Sequence, residues 1–248
     1  VSVEHKLGIH ASPTCVLAFG DRRGAEGYLV GKPNEGLAAM FTMMNYMRLG
    51  VGAQGTGLSE RSYQKSVSYA RERVQGRAPG AKGQVAIIRH PDVRRMLLLM
   101  RSLTQASRAI CYYTASCLDR MAHGTDAEAA AKWQARAELM TPIAKAWCTE
   151  IGQEVTELGI QVHGGMGYVE ETGVAQFYRD ARIASIYEGT NGIQAIDLVG
   201  RKLLRDGGAT VAAFVSDMRA VDAPLANAGE ELAVVRQALA RALDELVQ

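Results

Sequence analysis

The sequence has little of what marks a specialised environment. Its four cysteines, Cys15, Cys111, Cys117 and Cys148, show no CxxC spacing and no dense framework, which excludes a disulfide scaffold and reads as reduced cytoplasmic thiols. Five histidines, His5, His10, His90, His123 and His163, are scattered, without an HExxH motif or a pair one helix turn apart, so no metal site is expected. No apolar run approaches the roughly 18 residues needed to cross a bilayer, and no basic stretch leads into an apolar segment at the start. Neither a membrane span nor a targeting segment is expected, and the cytoplasm is the expected compartment. Charge of one sign is missing too: 28 basic and 26 acidic residues are interleaved to a net charge of +2, without the basic stripe that would imply nucleic acid. What remains is an ordinary globular composition, 48% hydrophobic and 22% charged over 248 residues, enough for one good-sized core with or without a small appendage. The chain opens on Val1 inside what reads as an extended segment, as a fragment would.

Residues 1–33 differ from the rest. Cys15-Val16-Leu17-Ala18-Phe19 and Tyr28-Leu29-Val30 are short apolar runs separated by Gly20-Asp21-Arg22-Arg23-Gly24, a pattern of two or three strands. From Asn34 onward the signal is helical. Val93, Leu97, Met100, Leu103, Ile110, Thr114, Cys117 and Met121 recur at helical spacing after Pro91-Asp92, and that helix should end at His123-Gly124. A second should run from about Thr125 through Leu158, kinked or divided at Pro142 and stopped by Gly159. Shorter helices over 173–185 and 191–205 bracket Tyr187-Glu188-Gly189-Thr190-Asn191-Gly192, and an Ala-rich tail follows with a loop at Ala223-Pro224. The expected fold is mainly α: an antiparallel helical bundle over 34–248, preceded by a short β remnant over 1–33.

Gly50-Val51-Gly52-Ala53-Gln54-Gly55 matches the GxGxxG pattern of dinucleotide-binding folds, but that fingerprint needs a strand before it, and residues 37–49 read as helix. Close helix packing through small residues is the expected role. Glu188, taken alone, reads as a surface carboxylate near a helix start, with Thr190 or Asn191 able to cap the helix that follows.

Three spaced motifs change that reading. Arg179-Asp180-Ala181-Arg182-Ile183-Ala184-Ser185-Ile186-Tyr187-Glu188-Gly189-Thr190-Asn191-Gly192-Ile193-Gln194 resembles the signature near the end of acyl-CoA dehydrogenases. Gln161-Val162-His163-Gly164-Gly165-Met166-Gly167-Tyr168 is similar to that family's QxxGGxGY turn, and Tyr69-Ala70-Arg71-Glu72-Arg73-Val74-Gln75-Gly76-Arg77 to its ARERxxFG segment. Gly8-Ile9-His10-Ala11-Ser12-Pro13-Thr14 resembles the end of the middle β domain in a longer subfamily, so residues 1–33 would be the remnant of that domain.

The resemblance implies an oxidoreductase that takes an acyl-CoA to its trans-2-enoyl-CoA, with FAD as hydride acceptor and an electron-transferring flavoprotein as next carrier. It implies Glu188 as general base, Arg48, Tyr187 and Gly189 at the substrate, and Arg73, Gln75, Gln161, Gly164, Gly165, Thr190 and Asn191 at the flavin. The chemistry suits a sheltered carboxylate, because the α-proton of a thioester is only weakly acidic. Gly76 stands where the family has phenylalanine, leaving no ring there to stack on the flavin's adenine end. Some relatives place their acid in the first long helix, but Asn45-Tyr46-Met47-Arg48 holds no carboxylate, which favours Glu188. Arg179 and Asp180 are expected as a structural pair orienting the Glu188 turn. Flavin contacts shared between subunits imply a homodimer or homotetramer. The alternatives are an acyl-CoA oxidase with the same base, or a non-catalytic helical packing module.

Overall fold

The computed structural model describes residues 1–124 and 126–246. Three long helices dominate it: α1 (Gly36–Glu72), α2 (Pro91–Ala122) and α3 (Ala127–His163), each packed on the other two. The short α2–α3 connection makes those two antiparallel neighbours, as a bundle requires. Pro91 opens α2, where a missing N–H costs nothing, and the Asp126 carboxylate caps α3 by accepting from Ala129 N at 2.7 Å. The expected start at Thr125 falls outside the described residues.

The α1–α3 contact is built from small residues. Gly52, Gly55, Ser59, Ser62, Ser66 and Ala70 face α3 from α1 at helical spacing. A side-chain carbon on Gly52 would stand 2.9 Å from the Ala144 carbonyl oxygen, and one on Gly152 of α3 would stand 3.2 Å from the Gly55 Cα. The glycine-rich stretch that resembles a nucleotide loop is therefore a helix-packing face, as expected. Several buried hydroxyls on these helices return to their own backbones, Ser59 to Gly55 O at 2.9 Å and Thr149 to Lys145 O at 2.8 Å, while the buried Ser66 hydroxyl has no partner among the described residues. Further along, Tyr63, Val67 and Ala70 meet Met96, Leu97 and Met100 of α2 and Ile151, Val155 and Val162 of α3 in the apolar core.

Several expected boundaries move. Pro142 does not divide α3: the helix is continuous and the proline is fully buried within it. Gly159 is not a stop, because the helix runs to His163 and the glycine leaves room for the Ser62 hydroxyl of α1. The stop is Gly164, at φ 58°. The helix expected over 173–185 is α4 (Val174–Ala181) continued by a 3-10 turn at Arg182–Ser185, and that over 191–205 is α5 (Asn191–Asp197) continued by a π-helical stretch at Leu198–Leu203. Pro224 lies inside α7 (Asp222–Asn227), between α6 (Ala209–Arg219) and α8 (Ala233–Glu245), rather than in a loop. The tail is anchored through Arg136 of α3, whose buried guanidinium lies over the Phe214 ring, pairs with Asp217 at 2.9 Å and donates to Tyr113 Oη.

The β portion is smaller than expected. One two-stranded antiparallel sheet joins β1 (Ser2–Val3) to β2 (Cys15–Val16), pairing Ser2 with Val16 and Val3 with Cys15. Tyr28-Leu29-Val30 forms no strand and is exposed, since nothing among the described residues offers its backbone a partner edge. No helix among the described residues is long and apolar enough to cross a membrane.

Candidate active site

The turn between α4 and α5 is built by two consecutive left-handed residues. Ile186 N and Tyr187 N both donate to Ile183 O, at 2.8 and 3.0 Å, and then Glu188 takes φ 55° and Gly189 φ 86°. Glycine adopts that region freely, whereas a carboxylate-bearing residue held there costs about 1–3 kcal/mol. Gly189 is needed for space as well, because a Cβ there would stand 2.8 Å from Gln194 Nε2, which itself donates to Gly189 O at 3.1 Å. Thr190 caps α5 by accepting from Ile193 N at 3.2 Å. Thr190→Ala is expected to lower stability by about 1 kcal/mol, seen as a lower urea midpoint with an unchanged slope.

Half-buried Glu188 forms no ion pair or hydrogen bond among the described residues, leaving its carboxylate free for another partner. Everything around it is tied down. Tyr187 donates its hydroxyl to Gln54 Oε1 of α1, and burial pushes that phenol's pKa up. Arg48 of α1 pairs with Asp197 of α5 at 2.9 Å, both side chains less than a tenth exposed. Asn191 is held against α3 from both ends of its amide: its Oδ1 accepts from Lys145 Nζ at 2.9 Å, and its Nδ2 donates to Glu150 Oε1 at 2.6 Å and Thr149 Oγ1 at 3.1 Å. Two buried polar atoms beside the turn, Arg48 Nε and Gln194 Oε1, have no partner among the described residues.

Beside this turn lies an apolar cavity of about 750 Å³, lined by Leu7 and Ile9 from the N-terminal segment and by Gln54, Ile183, Ile186 and Tyr187, with Lys6, Arg179 and Arg182 also contributing. The N-terminal wall is fixed by Asp180, whose Oδ1 accepts from Ile9 N at 2.6 Å. Ile9, at φ 51°, and Glu188 are two of the three non-glycine residues with positive φ among those described. Asp180 also accepts from Gln176, while Arg179 bonds Gln176 Oε1 and lies 3.6 Å from Glu170. Arg179 and Asp180 are thus joined through Gln176 rather than to each other.

A second cleft of about 300 Å³ lies where α1 ends and α3 stops, gathering Arg73, Gln75, His90, Gln161, His163 and Gly164. A short antiparallel hairpin places the first two: Gln75 N donates to Val85 O at 3.0 Å and Ile87 N to Arg73 O at 2.8 Å. His163 stacks on Tyr69 at 4.3 Å between ring centroids, pairs its Nδ1 with Gly159 O at 2.7 Å, and has its pKa lowered by burial. Side-chain carbons on Gly164 and Gly165 would meet nothing within 4 Å, so the backbone there is open to a ligand.

The model for "Acyl-CoA dehydrogenase, C-terminal domain" matches residues 34–204. The chain belongs to the acyl-CoA dehydrogenase family. It is 51% identical, over its whole length, to the 3-methylmercaptopropionyl-CoA dehydrogenase of Ruegeria pomeroyi, of which it spans 43%. Among solved structures it superposes on Caenorhabditis elegans ACDH-11 in complex with C11-CoA with a TM-score of 0.81 at 23% identity, covering 99% of this chain and 39% of that one, a likeness of fold. An acyl-CoA dehydrogenase from Bacillus anthracis complexed with FAD gives 0.73 at 25% identity, covering 88% and 38%.

Within this member of the acyl-CoA dehydrogenase family, the residues singled out from the sequence fall into two groups. Arg48, Tyr187, Glu188, Gly189, Thr190 and Asn191 gather at the α4–α5 turn; Arg73, Gln75, Gln161 and Gly164, with Gly165 adjoining, gather at the second cleft. Arg48, about a third of the way along α1, and Arg73, its C-terminal cap, are about 37 Å apart along the helix at 1.5 Å per residue. Sequence reasoning missed Lys145, Gln194 and Asp197 beneath the turn and Gln54 behind Tyr187. It also missed His90, whose ring lies 3.4 Å from where a side chain on Gly76 would begin. The contacts of Lys145, Asp197 and Gln54 join residues 46, 149 and 133 positions apart, so no local pattern signalled them.

Proposed function

We propose that this chain supplies the base and part of the flavin cradle of an FAD-dependent acyl-CoA dehydrogenase, with Glu188 removing the α-proton of an acyl-CoA thioester as it becomes the trans-2-enoyl-CoA. The observation that carries this reading is the Glu188 turn itself: a carboxylate with no partner, held in a costly left-handed conformation, on a turn whose every neighbour is bonded to the bundle. Such a carboxylate is placed to accept a proton without first breaking a bond of its own.

FAD, when bound, supplies the acceptor for the hydride leaving the β-carbon. The residues present fit it in two places. Ile183, Ile186 and Tyr187 line a cavity apolar enough for a ring system and within the size of ordinary cofactor pockets. Arg73, Gln75 and Gln161 offer donors to a diphosphate over the open Gly164-Gly165 backbone, with the His90 ring beside Gly76 where an aromatic contact is otherwise missing. Their separation along α1 fits contacts to two flavins across a subunit boundary, in a homodimer or homotetramer. An electron-transferring flavoprotein is the proposed next carrier.

The test is anaerobic bleaching of the flavin band in the complete flavoprotein by a panel of thioesters: 3-methylmercaptopropionyl-CoA, after the named relative, with butyryl-CoA and longer straight chains. Bleaching by at least one is expected. A stably bound flavin that none of them bleaches would contradict the proposal.

A further inference from the structure

Two of the four free cysteines meet across the contact of α2 with α3, and the reaction proposed above uses neither. Cys111 of α2 and Cys148 of α3 are 37 positions apart in sequence, yet their sulfurs stand 3.7 Å from each other in the buried interior. Each sulfur has one further polar neighbour. The Cys148 thiol donates to Ser107 O at 3.6 Å, and Cys111 Sγ lies 3.6 Å from Thr56 Oγ1 of α1. The Thr56 hydroxyl itself donates to Gly52 O at 3.1 Å. Gly52 also flanks Cys111: a side-chain carbon there would stand 3.6 Å from the sulfur, and its absence leaves that sulfur space on the α1 side. A disulfide brings its sulfurs to about 2.05 Å, so each has about 0.8 Å to travel.

We propose that Cys111 and Cys148 are an oxidation site, a dithiol that hydrogen peroxide closes to a disulfide tying α2 to α3. This does not depend on the function proposed above. Cys111 reacts first. It keeps 6% of its surface exposed whereas Cys148 keeps none. The Cys148 thiol beside it, opposed by burial, holds the Cys111 pKa below the ordinary thiol range, and Cys148 is pushed up by Cys111 and by burial. The Cys111 thiolate attacks one peroxide oxygen; an S–O bond forms, the O–O bond breaks and hydroxide leaves, so sulfur is oxidised and peroxide reduced. The Cys148 sulfur then attacks the Cys111 sulfenic sulfur. The S–S bond forms as the S–O bond breaks, and the departing hydroxide carries off the Cys148 proton as water. Two thiols and one peroxide give one disulfide and two waters. The bond falls on the stretch of α3 whose Lys145, Thr149 and Glu150 hold Asn191 beside the Glu188 turn.

The test treats the complete flavoprotein with hydrogen peroxide, unfolds it in iodoacetamide, digests it without reductant and assigns the linkages by fragmentation in the mass spectrometer. A Cys111–Cys148 linkage that dithiothreitol releases is expected to exceed a Cys111–Cys117 linkage at least about tenfold, because six positions along one helix keep Cys117 about 9 Å further down the axis. Equal amounts of the two would mean that oxidation follows unfolding, and would overturn the proposal. So would a Cys111 and a Cys148 that both stay alkylatable after the exposed Cys15 is oxidised, since the contact would then be packing alone. Wild type decides these outcomes without any variant. Cys148→Ser then tests the order of attack: with no resolving thiol, Cys111 should be labelled as a sulfenic acid by dimedone at least about tenfold more than in wild type. Equal labelling would show that Cys148 does not resolve Cys111 and would overturn the proposal.

Discussion

Glu188→Gln is expected to slow flavin reduction by an acyl-CoA at least about a hundredfold, the lower end of what a positioned general base contributes. Glutamine keeps the size of the side chain and can keep its left-handed backbone, so the turn, its Thr190 cap and the Asn191 clamp should stay in place. Only the proton-accepting oxygen is lost. Flavin absorbance and the urea midpoint should therefore match wild type, while stopped-flow bleaching slows. A variant that bleaches as fast as wild type would remove Glu188 from the mechanism; one that loses flavin would instead assign it a structural role.

Arg48→Met is expected to destabilise the protein by about 3–5 kcal/mol, the cost of leaving one member of a buried ion pair without its partner. Asp197 is 6% exposed, and among the described residues the one other cation paired with it is Arg201 at 3.8 Å, on a side chain that is mostly in solvent. Removing Arg48 strands the Asp197 carboxylate in the interior beneath the turn. The double variant Arg48→Met with Asp197→Leu should recover most of that loss, because replacing a whole buried pair by apolar groups is close to neutral. Urea unfolding followed by circular dichroism reads both effects. Equal midpoints for the single and double variants would show that the pair is not coupled. The expected loss is several times that of Thr190→Ala, since a cap bond at the surface exchanges readily with water whereas a buried charge does not.

Local chemistry explains which parts of this architecture could be read from the sequence. The Glu188 turn was legible because its requirements are local: a glycine for positive φ, a threonine to cap, and a motif that keeps them in order. The α2 boundaries were legible for the same reason, with Pro91 at the start and the periodicity ending at His123. A stop at Gly159 and a division at Pro142 do not occur because tertiary packing decides them: one makes room for the Ser62 hydroxyl on another helix, and the other is buried in a helix whose neighbours hold it continuous. Tyr28-Leu29-Val30 has a strand's composition, but a strand needs a partner edge as well as a pattern. Lys145 was invisible because a lysine in a helix normally snorkels to solvent; its burial follows from α5 docking on α3, a contact 46 residues distant in sequence. Arg48 and Asp197, 149 residues apart, are hidden in the same way.

The role of Glu188 is tested most directly by removal of the α-proton itself, separated from hydride transfer. The complete flavoprotein is incubated in D2O with a 3-thiaacyl-CoA, whose β-position is sulfur and has no hydride to give, and α-deuterium is followed by mass spectrometry. Wild type should incorporate deuterium, and Glu188→Gln should do so at least about a hundredfold more slowly. Equal incorporation by the two proteins would show that another group, or solvent alone, takes the proton, and would contradict the assignment of Glu188 as base.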